Sequence, residues 1–289
     1  MKKIIPVIVG PTASGKSVFA IEIAKKINAE IINADSLQVY SDLHILSARP
    51  TKAEQQNIPH HLYGYIDAYS TCSVASWLND VKNKLETVEN PLFVGGTGLY
   101  ISALTQGISP MPAVDENIRE DVRKMDIADV QKRLIDCKAI DPQRQRRALE
   151  IQLSTGKPLS FFQNQPKIKI IDKDFQIFFL NPPRDILYQR CNSRFIKMLD
   201  CGAINEVIRL NNIKATGGVL KAIGVSQIKK YLDNEITKEQ MIDLATKETR
   251  HYAKRQITWF KNQFPKAITL TNETQLEILE TYFNKNNLF

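Results

Sequence analysis

Eight residues near the start, Gly10-Pro11-Thr12-Ala13-Ser14-Gly15-Lys16-Ser17, constrain this chain more than any others. They satisfy the pattern G-x-x-x-x-G-K-[ST] in full. They follow a short β-branched run, residues 4–9, and precede residues 17–27, whose apolar positions recur at helical spacing. A strand, a glycine loop and a helix in that order turn backbone N–H groups inward, and the helix N-terminus adds positive potential. Such a loop holds phosphate oxygens. Lys16 supplies a mobile positive charge for the terminal phosphate, and the Ser17 hydroxyl suits Mg²⁺, a hard ion that binds phosphate oxygens and keeps waters. A glycine turn that merely joins a strand to a helix is the plainer alternative. The loop alone does not name its phosphate: nucleoside triphosphates are the default occupants, and any diphosphate presents similar oxygens.

The rest of the first hundred residues reads as more of the same layering. Residues 30–33 form a second short strand ending at Asp35-Ser36, residues 76–88 a helix, and residues 91–94 a third strand ending at Gly95-Gly96-Thr97-Gly98. Strands alternating with helices predict a parallel sheet covered on both faces. After Gly107 the character changes. Residues 115–156 are helical in composition, residues 157–173 are polar, basic and loop-like, and residues 176–180 return as a strand before a second long helical region. The expected fold is therefore α/β, a P-loop NTPase-like parallel sheet core interrupted by a helical insertion. The expected bounds are 1–110 for the first core segment, 111–173 for the insertion and 174–289 for the second core segment. The stretch 284–287 is expected to fray.

Composition excludes some classes. With 43% hydrophobic and 24% charged residues the chain is an ordinary globular one, and no apolar run approaches the roughly eighteen residues of a membrane span. Two lysines and a short apolar run at the N-terminus resemble a signal peptide, but the run passes into the glycine loop with no cleavage site. A cytosolic protein without membrane attachment, a monomer, is expected. Cys72, Cys137, Cys191 and Cys201 lie far apart with no Cys-x-x-Cys pair, so free thiols are expected. The net charge of +8, from 39 basic and 31 acidic residues, favours a polyanionic partner.

Further segments narrow the reading: Ile31-Ile32-Asn33-Ala34-Asp35-Ser36-Leu37-Gln38-Val39-Tyr40, Pro59-His60-His61-Leu62, Val94-Gly95-Gly96-Thr97-Gly98-Leu99-Tyr100, Arg146-Arg147-Ala148-Leu149-Glu150, and the run Thr249 to Phe260. In this order they resemble the tRNA dimethylallyltransferase (tRNA isopentenyltransferase) family, from Ile4 to about Phe264. The resemblance implies that Gly10 to Ser17 hold dimethylallyl diphosphate instead of ATP. The dimethylallyl group would pass to the exocyclic amine of the adenine immediately 3′ of the anticodon. Lys16, the loop amides and Mg²⁺ on Ser17 would stabilise the leaving diphosphate. Asp35 would accept the amine proton, and Thr97 would orient the adenine or the base. Helix capping by Asp35 and a plain turn role for Thr97 are the structural alternatives. His60-His61 reads as structural or as a substrate gate, since adjacent histidines point apart.

The same resemblance places tRNA anticodon stem-loop contacts at Asp35, Ser36, Leu37, Gln38 and Thr97, at Arg119, and at Gln143, Arg144, Gln145, Arg146 and Arg147. One of Arg190 and Arg194 falls where the family has an arginine on the diphosphate. Independently, Lys247, Arg250, Lys254 and Lys261 repeat at helical spacing, with Ala245, Tyr252 and Trp259 on another face. Such a basic stripe suits RNA phosphates, with a solvated charged face as the alternative. The chain departs from the family's usual segments at Ile45 to Pro50 and Ala222 to Gln227, and its insertion is short before Ile140-Asp141-Pro142. Rival functions are an adenylate isopentenyltransferase, a P-loop small-molecule kinase, and a non-enzymatic RNA-binding protein with a vestigial loop.

Overall fold

The computed structural model describes residues 4–271, 279 and 281–283. In chain order its elements are β1 (Ile4–Val9), α1 (Lys16–Lys26), β2 (Glu30–Asn33), β3 (His60–His61), α2 (Val74–Lys84), β4 (Pro91–Gly95) and α3 (Gly98–Gln106). Then follow α4 (Glu116–Lys124), α5 (Ile127–Arg133), α6 (Pro142–Thr155) and α7 (Leu159–Gln163). The chain ends with β5 (Asp174–Leu180), α8 (Arg184–Asp200), α9 (Ala203–Asn212), a 3-10 turn at Gly218–Lys221, α10 (Val225–Leu232), α11 (Lys238–Gln263) and β6 (Ile268–Leu270). The N-terminal lysines and residues 284–287, for which expectations were stated, lie outside the described residues.

Contacts divide the chain into two compact units, residues 1–105 with 171–289, and residues 106–170. The first is built on a sheet of order β3-β2-β4-β1-β5-β6 in which every pairing is parallel. β1 is central and flanked on both edges, which is why it is apolar at consecutive positions instead of alternating. Its neighbours extend the core: Ile8, Leu92, Val94, Phe178 and Leu180 pack with Phe19, Ile23 and Ala24 of α1, and with Leu279 and Phe283. From β1 the chain crosses to β2 on one side, and from β4 it proceeds to β5 on the other. The loops after β1 and β4 therefore diverge, and the carboxyl ends of those adjacent strands open a crevice suited to a ligand.

The second unit is a small helical body. Val122, Val130 and Leu149, contributed by α4, α5 and α6, close its core with Ile118, Met125, Ile127 and Leu134 around them. Asp115, Asp126 and Asp141 cap the three helices by accepting hydrogen bonds from Asn117, Ala128 and Arg144 N–H groups.

Local differences from the sequence expectation have identifiable causes. The helix expected over 76–88 spans Val74–Lys84, because Ser73 is its N-cap and Ser76, at its third position, completes a capping box with Ser73. The stretch 157–173, expected as loop, contains α7, where Phe161 lies beneath the Lys157 ammonium at 4.0 Å, and Ile168 pairs with Ile108 in an antiparallel bridge. β3 and β6 were not anticipated; two and three residues are too short to show a period.

Candidate active site at the carboxyl edge of the sheet

The phosphate loop takes its shape from two glycines and one strained residue. Gly15 caps α1 at φ 91°, a left-handed conformation that glycine adopts freely, and Ala13 sits at φ 63°. A Cβ on Gly10 would lie 2.7 Å from both the Leu180 carbonyl oxygen and Ser14 Oγ, so the loop can pass this close to β5 only with glycine there. No acidic residue occupies the first turn of α1, which leaves its positive end to an anion.

Around this loop one pocket gathers residues from six segments: Thr12, Lys16 and Ser17; Asp35, Leu37 and Gln38; Leu46 to Ala48; Cys191, Arg194, Phe195 and Met198 of α8; Ile223; and Thr249, Tyr252 and Gln256 of α11. Its two ends differ in character. Lys16, Ser17, Thr12 and Arg194 make a cationic, hydrogen-bonding end, whereas Leu46, Phe195, Met198 and Ile223 offer an apolar wall. Burial lowers the Lys16 ammonium to about 8, with Asp35 opposing the shift and Arg194 reinforcing it. Burial acts in the same direction on Arg194, again opposed by Asp35. One carboxylate thus stands within electrostatic reach of two partly desolvated cations.

Asp35 does not cap a helix, because none follows it. Its Oδ1 accepts a hydrogen bond from Leu37 N–H at 3.0 Å, and its own N–H donates to Asn33 Oδ1 at 2.9 Å. This leaves Oδ2 as the oxygen for an incoming proton. Thr97 reaches across from the loop after β4. Its hydroxyl accepts from Ser36 N–H at 2.9 Å and donates to Ser36 Oγ at 3.2 Å, so Thr97 fixes the Asp35-Ser36 turn.

A buried glutamine that the sequence reading did not select completes the site. Gln256, 6% exposed, accepts from Thr12 N–H at 2.8 Å and donates from Nε2 to the Gly96 carbonyl at 2.7 Å. Its signal was present in the chain. Ala245, Thr249, Tyr252, Gln256 and Trp259 recur at spacings of three and four, and a polar amide within such a stripe needs partners when buried. Trp259 lies against the same turn, where a Cβ on Gly98 would come 2.4 Å from the indole.

A second depression adjoins the pocket and shares Leu37, Ile223 and Tyr252 with it. Ser36, Tyr40, Cys72, Gly218, Lys221, Glu248 and Arg255 are among its other walls. Arg255 stacks over the Tyr252 ring at 5.7 Å.

The other predicted residues fall into distinct settings. Arg190 is exposed and donates to the Ser14 carbonyl at 3.3 Å, beside the phosphate loop, while Arg194 lines the pocket itself. Gln38 is buried and donates to the Ser47 and Ala48 carbonyls, where it braces the pocket wall. Arg250 differs from the expected exposed stripe: it is half-buried and donates to Asn192 on α8 at 2.6 Å. Lys247, Lys254 and Lys261 are exposed.

In the helical unit, Gln143 and Arg144 are exposed, and Arg119 pairs with Glu116 at 3.2 Å. Gln145 is buried instead, bonded to Gln131 and the Ala139 carbonyl, and Arg146 donates to the Val122 carbonyl. Arg147 pairs with Glu150 at 3.1 Å. Gln145 and Arg146 thus brace the helices, a role that differs from the surface contact expected of them. His60 and His61 bond to different partners, the Ile58 carbonyl and Glu30, and no cluster of three metal-binding side chains occurs among the described residues. Cys72, Cys137, Cys191 and Cys201 are free thiols.

The family described as IPP transferase matches residues 38–263, and the one described as isopentenyl transferase matches residues 3–64. The chain belongs to the IPP transferase family. Among its relatives, the tRNA dimethylallyltransferase of Rhizobium etli (strain CIAT 652) is 43% identical, covering 90% of this chain and 94% of that protein. The Zymomonas mobilis (subsp. mobilis) tRNA dimethylallyltransferase is 40% identical over 94% of this chain and 90% of its own. The crystal structure of the tRNA isopentenylpyrophosphate transferase from Bacillus halodurans superposes with a TM-score of 0.72 at 31% identity, covering 99% of this chain and 97% of that one. A eukaryotic dimethylallyltransferase acting on tRNA gives 0.78 at 28% identity, covering 99% of this chain and 78% of that one. No helix among the described residues is long and apolar enough to cross a membrane.

Proposed function

We propose that this chain transfers the dimethylallyl group of dimethylallyl diphosphate to the exocyclic amine of the adenine 3′-adjacent to a tRNA anticodon, releasing diphosphate, in the cytosol. The observation that carries this reading is the two-ended pocket: a cationic phosphate end, an apolar wall of Leu46, Phe195, Met198 and Ile223, and Asp35 beside both. A diphosphate with a five-carbon tail matches both ends.

In the transfer, the adenine amine nitrogen bonds to the first carbon of the allyl group as that carbon's bond to the diphosphate oxygen breaks. The electron pair leaves with the diphosphate, where Lys16, Arg194 and the loop amides meet its charge. The amine proton passes to Asp35 Oδ2. Thr97, through Ser36, holds the turn that carries Asp35. The donor set fits Mg²⁺: Ser17 and the single carboxylate Asp35 line the pocket, and this cation binds chiefly through substrate phosphates and retained waters. Ser17 would hold it, and its charge would help neutralise the departing diphosphate.

Incubation with labelled dimethylallyl diphosphate and either unmodified tRNA or AMP tests the reading. Label should enter tRNA, and Asp35→Asn should lower turnover by about a hundredfold or more with tRNA affinity little changed. Label in AMP alone favours an adenylate transferase. ATP hydrolysis without any response to the prenyl donor favours a kinase. Near-normal turnover by Asp35→Asn removes Asp35 from the mechanism.

A further inference from the structure

We infer that Gln256 is a positioning residue that locks the donor loop to the acceptor turn, an assignment that rests on the proposed prenyl transfer. Thr12 N–H can only donate and the Gly96 carbonyl can only accept. A side chain that satisfies both must therefore present an acceptor at one end and a donor at the other, which is what a carboxamide offers. Gln256 meets both partners inside the protein, at 2.8 Å and 2.7 Å.

The two partners belong to the two halves of the reaction. Thr12 lies in the phosphate loop, and Gly96 immediately precedes Thr97, whose hydroxyl holds the turn bearing Asp35. The approach is close enough to dictate the residue at 96: a Cβ there would lie 2.5 Å from Gln256 Nε2 and 3.1 Å from the Gly10 carbonyl oxygen. Gly96 is thus small so that the amide of α11 can enter between the loops after β1 and β4. Nothing in this arrangement requires Gln256 to touch either substrate. Its effect is on register: an error of about 1 Å between donor carbon and acceptor amine is enough to cost about a hundredfold in rate. Diphosphate affinity, set by Lys16, Arg194 and the remaining loop amides, should hardly depend on it.

The test compares Gln256→Met, which fills the space with neither donor nor acceptor, with Gln256→Glu. As a carboxylate, glutamate accepts from Thr12 but turns a lone pair on the Gly96 carbonyl; once protonated it can donate to that carbonyl and restore the bridge. For the Met variant kcat should fall about 10- to 100-fold, with the donor KM within about threefold of wild type. For the Glu variant, the ratio of kcat to wild type at the same pH should rise as pH falls from 8 to 6, and the Met variant should show no such rise. A kcat within twofold of wild type for Gln256→Met, or a loss residing in donor KM, overturns the assignment. So does a kcat within twofold of wild type for Gln256→Glu at pH 9, where an ionised carboxyl cannot donate to the Gly96 carbonyl; that result alone decides the matter if Gln256→Met does not fold. Failure of the wild type to label tRNA instead overturns the underlying reaction, independently of either variant.

Discussion

Lys16 sits where two demands conflict: burial lowers its ammonium to about 8, yet a diphosphate beside it requires the charge. The sign follows directly. In the free protein the lysine loses its proton as pH rises through about 8, whereas an anionic ligand holds the proton on, so binding above that pH must take up a proton. Affinity for dimethylallyl diphosphate, measured without RNA, should be nearly level below pH 7 and weaken above pH 8, by at most about tenfold per pH unit. Calorimetry at pH 9 in two buffers of different ionisation heat should reveal uptake approaching one proton, and Lys16→Met should abolish that uptake. Equal heats in the two buffers for the wild type would mean that Lys16 is charged throughout. The identity of this residue was plain in the sequence, because the G-x-x-x-x-G-K-[ST] pattern fixes lysine by spacing alone. The role of Gln256 was not, because it depends on contacts with residues 12 and 96 that only the folded chain brings to it.

Elements with a strong period were legible, and the short ones were not. β1, β2 and β4 announced themselves as apolar runs ending at glycine or aspartate and β5 as one ending before Pro182-Pro183, while β3 and β6 depend on pairing with β2 and β5 for their existence. α9 illustrates what spacing cannot show. Its Glu206, 1% exposed, accepts the backbone N–H groups of His44, Ile45 and Leu46 at 2.7, 2.8 and 2.9 Å, and so holds the segment whose Leu46, Ser47 and Ala48 line the donor pocket. A carboxylate here is an acceptor for every N–H that faces it; an amide turns its NH₂ toward at least one of them. Glu206→Gln should therefore lose about 1–3 kcal/mol of stability and bind dimethylallyl diphosphate severalfold more weakly, since the apolar wall is no longer pinned. Thermal melting and donor titration check the two effects separately. A lower melting temperature with unchanged donor affinity would show that the segment at 44–46 does not shape the pocket.

For the molecule as a whole the open question is which of its many cations meet RNA, and α11 divides them. Thr249, Tyr252 and Gln256 face the pocket. At about 100° per residue, Lys247 and Lys254 lie about 200° around the helix from Thr249 and Tyr252, on the side turned away from it. Arg255, next to the Tyr252 ring, and Lys221 line the depression beyond Ser36 and Leu37 instead. A nucleotide whose base reaches Asp35 from that depression carries its phosphates past these two side chains. Of the basic stripe, Lys247, Lys254 and Lys261 are exposed, whereas Arg250 is bonded to Asn192 of α8. Each phosphate contact contributes up to about one unit to the slope of log affinity against log salt. The double variant Lys221→Ala/Arg255→Ala should therefore weaken tRNA binding and flatten that slope by up to about two units, with donor affinity unchanged. Lys247→Ala/Lys254→Ala should leave the slope within about half a unit of wild type. The measurement is a salt titration of tRNA affinity for all three proteins, with melting curves to confirm that each is folded. If the second variant flattens the slope and the first does not, the RNA runs along the outer face of α11, and the target base must reach Asp35 by another route.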